Sequence, residues 1–175
     1  ANIGYYVAVI PLVTMEEALF NRAESNALLG NYEEALIDMN TFLSKRLDLN
    51  GWNGTPVTPR DVMLYYGKNT DNLDWKQNMK LNPHFRDFTE IENGNQDTCY
   101  AYVNALLAMR RAEYLGTGFR WFDIRRYDIP IVHTSVTHPT DSLKVGDRRR
   151  AIQIPDQSQA GGIEPNPVDT ERIPE

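Results

Sequence analysis

The sequence contains a single cysteine, Cys99, among its 175 residues. One thiol excludes an internal disulfide bond and a metal cluster held by several cysteine thiolates. No apolar run reaches the roughly 18 residues that a membrane-spanning helix needs. Lys and Arg number 18 against 24 for Asp and Glu, which gives a net charge of −6. That balance argues against a surface for nucleic-acid phosphates, so no nucleic-acid partner is predicted.

Motifs that carry catalysis are also missing from the sequence. There is no Gly-rich phosphate loop, nucleophile elbow or zinc signature. The histidines are His84, His133 and His138, and the last two are five residues apart, which matches no standard metal spacing. The acid pairs Glu16–Glu17 and Glu33–Glu34 lie at predicted helix starts and do not form a glycosidase pair. The sequence therefore predicts no catalytic residue, no metal ligand and no cofactor.

The composition that is present is that of a globular domain, with 41% hydrophobic and 24% charged residues. A chain of this length can bury a real core as one domain. It opens with ANIGYYVAVIPLV, which has neither an initiator Met nor a lipid-accepting cysteine. This start, in the middle of a strand-like run, favours a fragment of a longer protein over a processed chain.

A pair of helices is predicted over about residues 12–47. Thr14 is a candidate N-cap because Glu17 follows three residues later, the capping-box spacing. Gly30 is expected to end the first helix, and the short connection predicts an antiparallel hairpin. The predicted core face of the first helix consists of Met15, Leu19, Ala23 and Ala27. That of the second consists of Ala35, Leu36, Met39, Phe42 and Leu43.

The next segment, residues 48–96, is rich in Asn, Gly, Pro and Asp and is predicted to be mainly loop. Within it, Thr58 and Pro59 predict a short capped helix that runs to about Tyr66. A second long helix is predicted from Asp97 to about Leu115, with a polar side that begins at Arg110.

The last part of the chain is predicted to contain little regular structure. The helix and the motif that follows it occupy residues 97–130, and an irregular tail is expected over 131–175. Within that tail, RRRAIQIP predicts one short strand that ends at Pro155. The predicted fold class is therefore all-α, with a tetratricopeptide-like helix pair, further helices and long irregular loops.

Two stretches carry a resemblance to a known family. ALLGNYEEAL resembles the turn of a tetratricopeptide repeat, and a single copy implies neighbouring helices because one repeat cannot bury its own faces. The longer stretch around it, EEALFNRAESNALLGNYEEALIDMNTF, resembles the repeat helix pair of the SusD/RagB proteins. RRAEYLGTGFRWFDIRRY resembles the late signature of the SusD/RagB proteins, and IQIP with the later Asn166-Pro167 resembles that family's ending. Met109, Tyr114 and Thr117 depart from the signature. The match covers about half of the chain in patches, as the C-terminal portion of a longer family member.

The resemblance implies binding without catalysis. SusD-like proteins are surface lipoproteins of the Bacteroidetes outer membrane that capture oligosaccharides or other nutrients for a SusC-like TonB-dependent transporter. The lipid anchor would lie outside this chain. The alternative from the helix pair alone is a helical-repeat scaffold that binds a protein partner. A glycosidase is a third and poorer hypothesis, since no acid pair stands out.

The motif GFRWFDIRRYDIP has two interpretations. In the favoured structural one, Trp121, Phe122 and Ile124 fill the core, and Asp123 pairs with Arg120 or Arg126. In the functional one, the arginines hold an anionic or sugar ligand. The set assigned to the structural motif is Arg120, Trp121, Phe122, Asp123 and Arg126.

The chemistry of the loop-rich segment suggests a candidate ligand site. Aromatic rings stack on the apolar faces of sugars, and neighbouring Asn and Asp side chains bind the hydroxyls. The candidate ligand-binding residues are Trp52, Asn53, Tyr65, Tyr66 and Trp75. The favoured interpretation, against which these candidates stand, is that each ring simply packs its loop onto the domain. For Cys99, near a predicted helix start, a half-buried thiol is favoured over an activated one.

Overall fold

The computed structural model describes residues 14–47, 54–67, 96–134, 136–137 and 141–166. Its helices are α1 (Met15–Leu28), α2 (Tyr32–Arg46), α3 (Pro59–Tyr66), α4 (Gln96–Glu113), α5 (Arg120–Arg126) and α6 (Asp156–Ala160). Strand β1 (Ile131–His133) pairs antiparallel with β2 (Asp141–Leu143), and a 3₁₀ turn covers Arg148–Arg150. The described residues thus hold six helices and one two-stranded sheet, which confirms the predicted all-α class.

Helix α1 begins and ends at the predicted positions. The Thr14 hydroxyl accepts a hydrogen bond from the Glu17 amide at 3.1 Å, which satisfies one of the amides that a helix start leaves unpaired. Gly30 follows the helix with a φ of +83°, a conformation that a side chain would strain. The buried face of α1 consists of Phe20, Ala23, Glu24 and Ala27.

One residue of the predicted α1 face is placed wrongly. Met15 is 83% exposed. At 3.6 residues per turn it lies about 140° around the helix from Phe20, the first buried residue. Each step of four turns the predicted face by about 40°, so this face reaches the core only further along the helix. Ala23 and Ala27, further along, are buried as predicted.

Helix α2 packs antiparallel on α1. The centroids of the Phe20 and Phe42 rings lie 4.6 Å apart. Near the middle of both helices, Arg22 of α1 binds Asp38 of α2 at 2.5 Å. Near the open end, Arg46 reaches back to Glu16 at 2.5 Å. The buried residues of α2 are Ala35, Asp38, Met39 and Phe42, with Leu36 and Leu43 packed at the edge of the core.

A short extended segment leads from α2 to α3 and is held by one side chain. The Asn40 amide donates to the Val57 carbonyl at 2.9 Å and accepts from the Val57 amide at 2.8 Å. Thr58 then caps α3 in a full capping box with Asp61, and Pro59 occupies the first turn as predicted. The Asn40 side chain therefore ties the start of α3 to the middle of α2.

Helix α4 forms the centre of the fold, packed against α1, α2 and α3. Every residue from Cys99 to Leu107 is buried, so this helix is enclosed over more than two turns. The predicted polar side is wrong at its first member, because Arg110 is buried and faces α1. Arg111 on the same helix is exposed.

The C-terminal part is more regular than predicted. The strand expected in RRRAIQIP is replaced by the 3₁₀ turn, where the Asp147 side chain caps the Arg149 amide at 2.9 Å. The Arg150 guanidinium turns inward and pairs with buried Asp128 at 2.7 Å. It also donates to backbone carbonyls of residues 124, 129, 143 and 144. One arginine thus joins the end of α5 to the hairpin, in a part of the chain where the sequence predicted an irregular tail with one short strand.

Replacing Asn40 by Ala removes both bonds to Val57 and leaves two backbone groups without a protein partner. We expect this variant to lose about 1–2 kcal/mol of unfolding free energy, measured by urea denaturation followed by circular dichroism. Ser25→Ala is the matched control, since the Ser25 hydroxyl bonds only within its own exposed helix turn and its loss costs about 0.5 kcal/mol or less. Equal stabilities of the two variants would contradict the role given to Asn40.

Candidate functional site

The predicted ligand-binding residues divide into two groups. Trp52, Asn53 and Trp75 lie outside the described residues. Tyr65 and Tyr66 end α3, and they face different ways. Tyr65 is 41% exposed, whereas Tyr66 packs against the core, where burial raises the pKa of its hydroxyl. Of the described pair, Tyr65 is the more exposed residue.

The RWFD motif is placed by a tight turn after α4. Gly116 and Gly118 have φ values of +78° and +85°, so a glycine is favoured at both positions. The Thr117 hydroxyl donates to the Tyr114 carbonyl at 2.8 Å and closes the turn. Helix α5 starts two residues after Gly118 and lies back against the end of α4.

Asp123 is the buried acid of this motif. Its carboxylate lies 3.4 Å from Arg120 and 3.7 Å from Arg110. Burial raises the pKa of Asp123, and the two arginines oppose that rise. The predicted pair with Arg120 is present, while Arg126 is directed to a different acid. The Arg120 guanidinium also donates to the Leu107 carbonyl at 3.4 Å, which binds α5 to α4.

That second acid, Glu24 on α1, was missed by the sequence reasoning. It is 4% exposed, and its carboxylate binds Arg110 at 3.2 Å and Arg126 at 2.9 Å. The Tyr127 hydroxyl donates to the same carboxylate. The available signal was a charged residue between Ala23 and Ala27 on the apolar side of α1. We call Glu24, Arg110, Asp123, Arg120, Arg126 and Tyr127 the corner cluster.

The aromatic part of the motif differs from the prediction. Phe122 is 68% exposed and Trp121 is half-buried, so the expectation that both fill the core is wrong. Helix α5 has only seven residues, and its inward face is taken by Asp123 and Ile124. Phe122 lies at the outer edge of an aromatic series, 6.2 Å from the ring of Phe119.

The chemistry of the corner cluster is that of a structural joint. Both carboxylates are held by arginines of the same chain, so each charge is compensated where it is buried. Burial and the neighbouring Glu24 raise the pKa of Tyr127, which keeps its hydroxyl a neutral donor at physiological pH. The favoured structural interpretation of the motif therefore suits its acids and arginines.

A shallow groove of about 520 Å³ runs along the outer side of α2. It is lined by Glu33, Leu36, Ile37, Asn40, Thr41 and Ser44. The Thr41 hydroxyl donates to the Ile37 carbonyl and the Ser44 hydroxyl to the Thr41 carbonyl, each at 2.8 Å. These polar side chains are engaged by the backbone of their own helix.

Within the part of the chain that the structure describes, no cluster of His, Cys, Asp and Glu is arranged to hold a metal ion. None of the described helices is both long and apolar enough to cross a membrane. Comparisons of the chain with protein-family models, curated proteins and solved structures find no match.

Glu24→Gln preserves the shape of the side chain but removes the charge that compensates buried Arg110. We expect a loss of about 3 kcal/mol in unfolding free energy, measured by urea denaturation at neutral pH. The control is Glu34→Gln, an exposed first-turn position of α2, where a change of about 0.5 kcal/mol or less is expected. A Glu24 variant as stable as the control would refute the compensating role.

Cys99 is 2% exposed, and burial raises the pKa of its thiol to about 11. The thiolate is therefore a minor species at pH 8, and the reagent must also reach a buried atom. We expect 5,5′-dithiobis(2-nitrobenzoate) to label the folded chain at least about a hundredfold more slowly than the urea-unfolded chain. Equal labelling rates would show that α4 does not enclose this thiol.

Proposed function

We propose that this chain is part of a surface nutrient-binding protein of the SusD/RagB type. In this proposal it captures an oligosaccharide for a SusC-like TonB-dependent transporter at the outer membrane, and its lipid anchor lies outside the chain. The observation that carries the proposal is the contact of Glu24 with Arg110 and Arg126. It joins the two separate stretches on which the family resemblance depends.

The contact supports the proposal because it explains why both stretches would occur together in one fold. Glu24 belongs to the repeat-like helix pair, while Arg110 and Arg126 belong to the late signature. Two stretches that are far apart in the sequence but resemble one family are expected to meet in space when they build one core. The departures from the signature at Tyr114 and Thr117 also suit this fold: Tyr114 is buried and Thr117 closes the turn.

The ligand surface of the proposal is centred on the segment from Trp52 to Tyr65. Asn40 holds Val57 against α2, five residues after Trp52 in the sequence. Tyr65, further along, presents a half-exposed ring on α3. An aromatic ring with neighbouring amides is suited to the apolar face and hydroxyls of a sugar. Tyr66 is partly buried against the core, so the proposal centres on Tyr65.

The α2 groove favours a second candidate function, a helical scaffold that binds a protein. Its hydroxyls and its asparagine are engaged within the chain, which leaves apolar groups of Leu36 and Ile37 as the accessible surface. Such a surface suits a protein side chain better than a sugar.

The test is isothermal titration calorimetry of the chain against neutral and acidic oligosaccharides. Calorimetry is chosen because removing a tryptophan also removes the fluorescence signal. We expect Trp52→Ala or Tyr65→Ala to weaken binding at least about tenfold, as for a central aromatic contact. The matched control is Phe122→Ala, which removes an exposed aromatic ring from α5, outside the proposed ligand residues, and this variant should bind normally.

Other outcomes would contradict defined parts of the proposal. A folded chain that binds no oligosaccharide of the panel contradicts a ligand site in this chain. Binding that is lost only in Phe122→Ala would move the site to the RWFD corner. Binding that survives Trp52→Ala, Trp75→Ala and Tyr65→Ala contradicts the assigned ligand residues.

A further inference from the structure

The outer side of α2 carries a stripe of four residues spaced four apart. They are Glu33, Ile37, Thr41 and Lys45, and all four are exposed. Ile37, near the middle, is 57% exposed although it is a large apolar side chain. Side chains four apart lie one above another on a helix, so the stripe forms a single ridge beside the α2 groove.

The middle of the stripe, Ile37 and Thr41, presents mainly apolar groups. The Thr41 hydroxyl donates back to the Ile37 carbonyl, which leaves the Thr41 methyl group on the surface. Ser44, beside it, is bonded to the Thr41 carbonyl in the same manner. The stripe therefore has an acid at one end, an apolar centre and a base at the other end.

This order makes the stripe complementary to itself when it is reversed. If two copies of α2 lie antiparallel about a two-fold axis, Ile37 of each copy lies opposite Thr41 of the other. The same axis places each Glu33 opposite a Lys45, because both pairs are centred on the same point of the helix. A parallel arrangement would instead bring like charges together.

We propose that the α2 stripe is a docking surface for a second copy of this chain, in an antiparallel two-fold contact. Each Ile37 enters the α2 groove of the other copy, and two Glu33–Lys45 pairs close the ends. Lys45 supplies the cation because the neighbouring Arg46 is already held by Glu16 and Glu113. The charge pattern of the stripe favours a second copy over a different protein.

The size of the contact predicts a weak dimer. Helix α2 has 15 residues and is about 22 Å long at 1.5 Å per residue. One helix pair of this length buries less than the roughly 800 Å² per partner of a standard interface. We therefore expect a dissociation constant of about 100 µM, so that the fraction of dimer changes with protein concentration in an accessible range.

The test is sedimentation equilibrium of the full 175-residue chain from about 10 µM to 1 mM, around the expected dissociation constant. We expect a monomer–dimer equilibrium that Ile37→Asp abolishes. Ile152→Asp is the matched control, because Ile152 is a similarly exposed isoleucine far from α2 in sequence. It should leave the dimer unchanged, and thermal unfolding by circular dichroism should show that both variants remain folded.

Charge reversal separates a second copy from any other occupant of the stripe. Lys45→Glu should weaken the dimer roughly tenfold, since each substitution acts twice in a two-fold contact. The double variant Glu33→Lys with Lys45→Glu should restore it, because the ends are again opposite in charge. A chain that is monomeric throughout, a dimer that survives Ile37→Asp, or a double variant that stays monomeric would each overturn the proposal.

Discussion

The fold depends on the buried carboxylate of Glu24, which is bound by residues from two other helices and the turn after them. Arg110 of α4, Arg126 of α5 and Tyr127 all bind this one side chain. A buried carboxylate is costly unless charge and hydrogen bonds compensate it, so these elements cannot move apart independently. The helix pair α1–α2 is thereby fixed to the rest of the described chain by a polar contact as well as by apolar packing.

In the apolar packing around this contact, large and small side chains have different roles. Helix α4 is enclosed along its middle and supplies surfaces for three neighbouring helices. Small residues such as Ala23 and Ala27 let α1 lie close to its neighbours, while the Phe20 ring fills the space toward Phe42 and Tyr114. The outer side of α2 and the end of α3 are left accessible, and both proposed binding surfaces lie there. The core and the binding surfaces thus use different sides of the same helices.

Local features of this fold were readable from the sequence, because their causes lie within a few residues. Thr14, Thr58 and Gly30 act through caps and turns that involve their immediate neighbours. The burial of Arg110 and Glu24 was not readable, since the contact between them joins positions 86 residues apart. Phe122 was misplaced because a helix of seven residues is too short for periodicity to fix its inner face. Arg150 likewise owes its inward position to carbonyls of several other segments.

For the candidate ligand site, the sequence indicated only which residue types could bind a sugar. It could not distinguish Tyr65 from Tyr66, because their different exposure results from the way α3 packs on the core.

The separation of Glu24 from Arg110 has a consequence for how this chain can vary. The contact closes a loop of 86 residues, compared with 16 for the bond between Arg22 and Asp38. The entropy of closure grows only with the logarithm of loop length, about 0.6 kcal/mol for each doubling. Lengthening the chain between the two partners therefore adds little to the entropic cost of closing this contact. The joint between Glu24 and Arg110 is in this respect insensitive to the length of the sequence that separates its two halves.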